Sequence, residues 1–164
     1  MKLQSLNDLL IKELQDLYDA ENRIIEALPK MAEKASSPEL RSGLNQHLEQ
    51  TRGQVRRLDQ IFDQLRDVDR EDGKCKGIEG IIKEGEDLLK KDSEPEVRDA
   101  GIIASAQKVE HYEIASYGTV RTYAELLGRQ DWARLLDETA TEEKETDQKL
   151  NQLASHLNIE AKAA

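Results

Sequence analysis

Along four stretches of the chain, one face repeats at alternating intervals of three and four residues. The first reads Leu10, Leu14, Leu17, Glu21, Ile24, Leu28 and Met31. The second reads Leu44, Leu48, Thr51, Val55, Leu58, Phe62 and Leu65. The third reads Ala106, Glu110, Glu113, Tyr117, Val120, Ala124 and Leu127, and the fourth Leu136, Thr139, Glu143, Thr146, Leu150, Leu153 and Leu157. This spacing holds one side of an α-helix toward a neighbour, so each stretch predicts a long amphipathic helix.

The punctuation between stretches predicts how they connect. Ser5 and Asp8 resemble a capping box and open a helix over about 5–35. Ser37 and Pro38 supply an N-cap and a first-turn proline for a second helix over about 38–65. The intervening break is short, which predicts an antiparallel hairpin. A second hairpin starts at Ser93–Glu94–Pro95, runs to Leu127, turns at Gly128 in a left-handed cap, and restarts at Gln130–Asp131 for a helix over about 131–156. The tail, Asn158–Ala164, is expected to fray.

Between the hairpins, Asp67–Glu96 is too long for a tight turn. Its Ile78, Ile81, Ile82, Leu88 and Leu89 predict a short helix over about 77–91 laid across the bundle. Two helical hairpins joined by one long crossover define an all-α, ferritin-like four-helix bundle occupying residues 1–164 as one domain. Each main helix would be roughly 40–50 Å long at about 1.5 Å per residue.

The stripes are interrupted in an informative way. Glu21, Glu110, Glu113 and Glu143 occupy core positions near the middle of three different helices. A carboxylate there is costly unless it is paired, protonated or bound to a cation. Di-iron and di-manganese bundles gather glutamates from facing helices in this way, with a Glu-x-x-His pair on each of two helices. No Glu-x-x-His occurs here, and the second helix carries Thr51 where a carboxylate would stand. Beside Thr51 it offers His47, Gln50 and Gln54, whereas Glu49 points away and Arg52 is a candidate to neutralise a nearby acid. Asp147 lies one turn beyond Glu143.

Each candidate also has a purely structural reading. Glu21 and Glu143 could form salt bridges at a bundle edge, Asp147 could be an exposed i,i+4 partner, and His47 a hydrogen-bonded core residue. Tyr117, one turn beyond Glu113, could hold a ligand carboxylate or simply find a partner for its hydroxyl. His111 lies off the stripe, His156 would serve the end of the last helix, and Glu142–Glu145 reads as a solvated face apart from Glu143.

Composition narrows the classes. Charged residues make up 35% and aromatics 4%, which suits a helical protein. The net charge of −10 disfavours nucleic acid as a partner, since such binding needs a basic face. Cys75 is the only cysteine, which excludes an intrachain disulfide; within the polar run Asp72–Lys76 it reads as an inert, partly exposed thiol. The start, Met1–Ser5, has no apolar signal core, and no apolar run reaches membrane-spanning length, so a cytoplasmic location is the expectation. A nucleophilic triad and a glycine-rich phosphate loop are both missing.

The segment Gln107-Lys-Val-Glu-His-Tyr-Glu-Ile-Ala-Ser-Tyr-Gly118 resembles the signature of the YciE/YciF family of bacterial ferritin-like proteins. Tyr18-Asp-Ala-Glu21, His47-Leu-Glu-Gln-Thr51 with Gln54 and Arg57-Leu58, and Glu142-Glu-Lys144 with Asp147 match it too, so the resemblance spans nearly the whole chain. It implies a rubrerythrin-like bundle, a homodimer and a link to bacterial stress. One departure stands out: Gln50 occupies a position where the family usually carries Glu, and a Gln carbonyl is a weaker ligand for a divalent cation.

Two functional readings follow. The first is a stress protein with a carboxylate-rich site for one or two Fe or Mn ions, oxidising Fe(II) or removing peroxide. Its ligands would come from Glu21, Glu110, Glu113, Glu143, Asp147, His47, Gln50 and Gln54. The second is a non-enzymatic dimeric bundle that acts through a protein partner, with a degenerate metal site.

Overall fold

The computed structural model describes residues 3–164; Met1 and Lys2, the start of the stretch read for a signal core, lie outside them. Five helices follow in order: α1 (Leu6–Lys34), α2 (Pro38–Phe62), α3 (Lys76–Leu89), α4 (Pro95–Leu126) and α5 (Gln130–Ala163). Their ends carry the local chemistry that stops or starts a helix. Ser5 Oγ accepts from Asp8 N at 3.1 Å, and Ser37 Oγ from Leu40 N at 3.3 Å. Gly128 sits at φ 73°, the left-handed conformation that only glycine adopts without penalty, and turns α4 into α5.

The long helices form a ferritin-like four-helix bundle. α1 packs against α2 and α4, and α5 against α4 and α2. The crossover helix α3 lies over the groove between α1 and α4. Two apolar clusters fill the interior. One gathers Leu10, Leu14, Leu17, Leu58, Ile61, Tyr117, Val120 and Leu136. The other gathers Ile24, Leu28, Leu44, Leu48, Ile78, Ile102, Ile103 and Leu150. The positions between them along all four stripes are the polar ones, so the bundle is a sandwich of two oily halves around one polar layer.

The chain reaches α3 by running along α1. Gln15 Nε2 donates to Asp69 O at 2.6 Å, and Asp16 and Asp19 accept from the backbone N–H groups of Lys74 and Cys75 at 3.2 and 2.8 Å. At Gly73 the approach is so close that a Cβ would stand 2.1 Å from the Gln15 carbonyl oxygen.

Two expectations are corrected. α5 does not end near His156: the segment expected to fray continues as helix to Ala163, and Leu157 is buried in the core. His156 is therefore not a C-terminal residue of the helix; its Nε2 lies 3.3 Å from Glu39. Cys75 is not a partly exposed thiol. It is 3% exposed, its sulfur accepts from Ile78 N at the start of α3, and it lies 3.0 Å from the Tyr112 hydroxyl. The polar sequence around it faces water while the Asp19 carboxylate holds its backbone inward.

Candidate metal centre

The polar layer is built from all four long helices. α1 supplies Glu21, α2 supplies His47, Thr51 and Gln54, α4 supplies Glu110 and Glu113, and α5 supplies Thr139, Glu143 and Thr146; all are buried. Glu110 and Glu113 are three residues apart and so project from one face of α4. The threonines do not satisfy the acids. Thr51 Oγ1 donates to His47 O at 2.9 Å and Thr146 Oγ1 to Glu142 O at 3.0 Å, both within their own helices.

His47, Glu110, Glu113 and Glu143 each present a donor atom, and these atoms all lie within 4.8 Å of one another. A cation with ligand bonds of about 2.0–2.4 Å needs donors at most about 4–5 Å apart. Many of these atoms are otherwise unpartnered: both oxygens of Glu113, both ring nitrogens of His47, and one oxygen each of Glu21, Glu110 and Glu143. His47 Nε2 is 3.2 Å from Glu110 Oε1 but is not aligned as a hydrogen bond. Among the described residues no lysine or arginine is buried to balance the four acids. The donor set is mostly carboxylate with one imidazole, which fits a divalent transition metal and could hold one.

Without a cation the layer resists ionising. Burial pushes Glu21, Glu110 and Glu113 well above the usual carboxylate range, and the Glu143 charge adds to the effect in all three. Burial also holds His47 below its ordinary value, so the imidazole is neutral and can offer a lone pair. Tyr117 is pushed well up by burial and then by Glu21, so it stays a phenol and donates to Glu21 Oε1.

Outside the four donors a second set of contacts holds Glu143. Gln54 Nε2 donates to Glu143 Oε1 and, at 3.1 Å, to Glu142 Oε2. Arg57 in turn grips both oxygens of Glu142 at 2.8 and 2.6 Å and reaches Glu138 at 2.6 Å. Arg52, the candidate the sequence offered for neutralising a nearby acid, instead pairs with Glu49 at the surface. It also read Glu142 as solvated, whereas its side chain is 23% exposed and clamped by Arg57. The signal was present: Arg57 lies three residues beyond Gln54 and so shares its face of α2.

The remaining candidates are not among the four donors. Glu21 lies directly beside Glu113 and accepts from the Tyr117 hydroxyl. Gln50 is half-buried in a cleft beside His47 that Lys149 also lines. Asp147 Oδ2 accepts from Asn151 at 3.0 Å, and its Oδ1 faces the exposed His111 at 3.3 Å, on the α4–α5 seam.

Residues 5–164 match the family described as "Domain of unknown function (DUF892)". The chain belongs to this family. As a DUF892 member it is 44% identical over 163 residues to Protein YciF of Escherichia coli (strain K12), covering 99% of this chain and 98% of that protein. The crystal structure of the E. coli stress protein YciF superposes with a TM-score of 0.90 at 44% identity, over 94% of this chain and 98% of that one. YcfI from Rhodopseudomonas palustris superposes at 0.86 with 45% identity, over 92% and 95% of the two chains. A Xanthomonas campestris protein at 22% identity shares the DUF892 member's fold with a TM-score of 0.69, over 97% and 95%. Among the described residues no helix is long and apolar enough to cross a membrane.

Proposed function

We propose that this chain is a ferritin-like stress-response protein, a cytoplasmic homodimer whose polar layer binds iron or manganese and oxidises Fe(II) or removes peroxide. The observation that carries the reading is the set of unpartnered donor atoms on His47, Glu110, Glu113 and Glu143 within 4.8 Å of one another. Those residues would hold the first ion, and Glu21 extends the carboxylate set toward a second. A bound iron or manganese ion supplies redox chemistry and Lewis acidity that no side chain in the layer has.

The chain's own residues prepare that site. Tyr117 orients Glu21, and the Arg57–Glu142–Gln54 chain orients Glu143, so both carboxylates are held before any ion arrives. The apolar halves above and below exclude bulk water, which strengthens each charge interaction inside. The protonated carboxyls give up protons as the cation binds, so loading is favoured as pH rises.

One observation favours the second reading, a metal-free bundle that works through a partner. The Gln54 amide already satisfies one oxygen of Glu143, and α2 offers Gln50 in place of a carboxylate.

Elemental analysis of untagged protein, purified without chelator and loaded anaerobically with Fe(II), separates the two. The metal reading expects near-stoichiometric iron that is lost in Glu143→Ala. Protein that stays metal-free after loading overturns it and leaves the partner-binding bundle.

A further inference from the structure

Beneath α3 lies a narrow, largely apolar cleft of about 30 Å³. Its walls are Ile24, Leu28 and Met31 of α1, Ile81 and Ile82 of α3, and Val109 of α4. Its buried end is formed by His47 and Glu110, which are 3% and 1% exposed and carry unpartnered polar atoms. Its outer end is flanked by the exposed Lys30–Glu86 ion pair at 3.3 Å. The Ser105 hydroxyl on the wall is already committed to Gly101 O at 2.9 Å.

A water molecule needs about two to four polar partners to reside in a cavity, and apolar cavities of this kind stay dry and take up small apolar guests. The stretch between the ion pair and His47 offers no such partners. A second cleft of about 20 Å³ reaches the same two residues from the α2–α5 side, where Leu40, Leu44, Leu150 and Leu153 line it together with Gln50 and Thr146.

We propose that the cavity beneath α3 is a binding site for dioxygen that delivers it to the His47–Glu110 end of the polar layer. Its use by a metal centre rests on the function proposed above, whereas occupancy by dioxygen does not. The size admits a diatomic molecule, the walls reward an uncharged one, and α3 covers one side of it. In oxidase chemistry the site thus brings dioxygen in from the α3 side.

The test uses metal-free protein with labelled methyl groups under raised oxygen pressure, reading paramagnetic relaxation by NMR. The Ile24 and Leu28 methyls should relax faster than those of Leu10, Leu14 and Leu58, which are also buried but lie in the other half of the core, and faster than those of the similarly buried Leu44 and Leu150. Ile82→Phe should remove that excess by filling the space from α3. Ala27 also lines the space, so Ala27→Leu fills it from α1 and serves if the first variant does not fold. The absence of an excess in the unmodified protein, or its persistence in the filled variants, would overturn the site. Failure to load iron would sink the metal centre alone, because this measurement contains no metal.

Discussion

Glu113 concentrates the problem that the polar layer poses. Its carboxyl is fully buried, neither oxygen has a hydrogen-bond partner, and three other glutamates surround it. In metal-free protein, Glu113→Leu should raise stability by about 1–3 kcal/mol at neutral pH, since it removes an unsatisfied buried polar group. The gain depends on pH with a definite sign. Because the folded-state pKa is raised, the acid's contribution is intact below the ordinary carboxylate value of about 4.3 and is lost as pH climbs toward the raised folded value. Denaturant midpoints should therefore differ more between Leu variant and parent at pH 8 than at pH 5. Equal differences at both would mean that Glu113 is stabilised by something the layer does not show. His47 works oppositely: its lowered value contributes stability that is present above about 6.5 and lost as pH falls through the depressed folded value.

At the scale of elements, the crossover is held by close backbone approach to α1 as well as by the burial of Cys75 and Ile78. Gly73 lies against the Gln15 carbonyl of α1 with no room for a methyl group. Gly73→Ala should cost on the order of 2–4 kcal/mol, because rigid backbone must move rather than a flexible side chain. Hydrogen exchange should show the loss centred on 66–80, with α5 unaffected; a variant as stable as its parent would mean that the crossover is free to lift from α1. The helices themselves were legible because the three-four periodicity, Ser37–Pro38 and Gly128 are local signals. The end of α5 was not legible: Leu157 anchors its last turns to the core, and that packing overrides the weak helical preference of Asn158 and the frayed-end expectation. Cys75 was misplaced for the same reason, since its burial comes from Asp19 and Tyr112, which are distant in sequence.

For the whole molecule, a cation held by His47, Glu110, Glu113 and Glu143 would join α2, α4 and α5 across the layer. Binding to the folded state alone stabilises it by mass action, about 2.7 kcal/mol at a hundredfold excess over Kd. For a chain of this size that corresponds to a rise in Tm of roughly 5–10 °C. Differential scanning fluorimetry with Mn(II) should show this rise in the parent and none in Glu143→Ala. A shift of equal size in both would place the ion elsewhere, on the acidic surface. The same measurement with Gln50→Glu bears on the α2 departure: an added carboxylate beside His47 should increase the shift if the cleft contributes to cation binding.

The sequence by itself determined the helical class, the two hairpins, the crossover and the four core glutamates, because each depends on spacing along one helix or on residues adjacent in the chain. Tertiary structure decided which of the candidates meet. Glu110, Glu113, Glu143 and His47 converge within 4.8 Å, whereas Asp147 turns to the α4–α5 seam and Gln50 to a side cleft. It also decided that Arg57, not Arg52, holds the acid beside Glu143. Those choices turn on the relative rotation of helices far apart in sequence. Rotation is set by how two apolar clusters pack above and below the layer, and periodicity along a single helix carries no record of it.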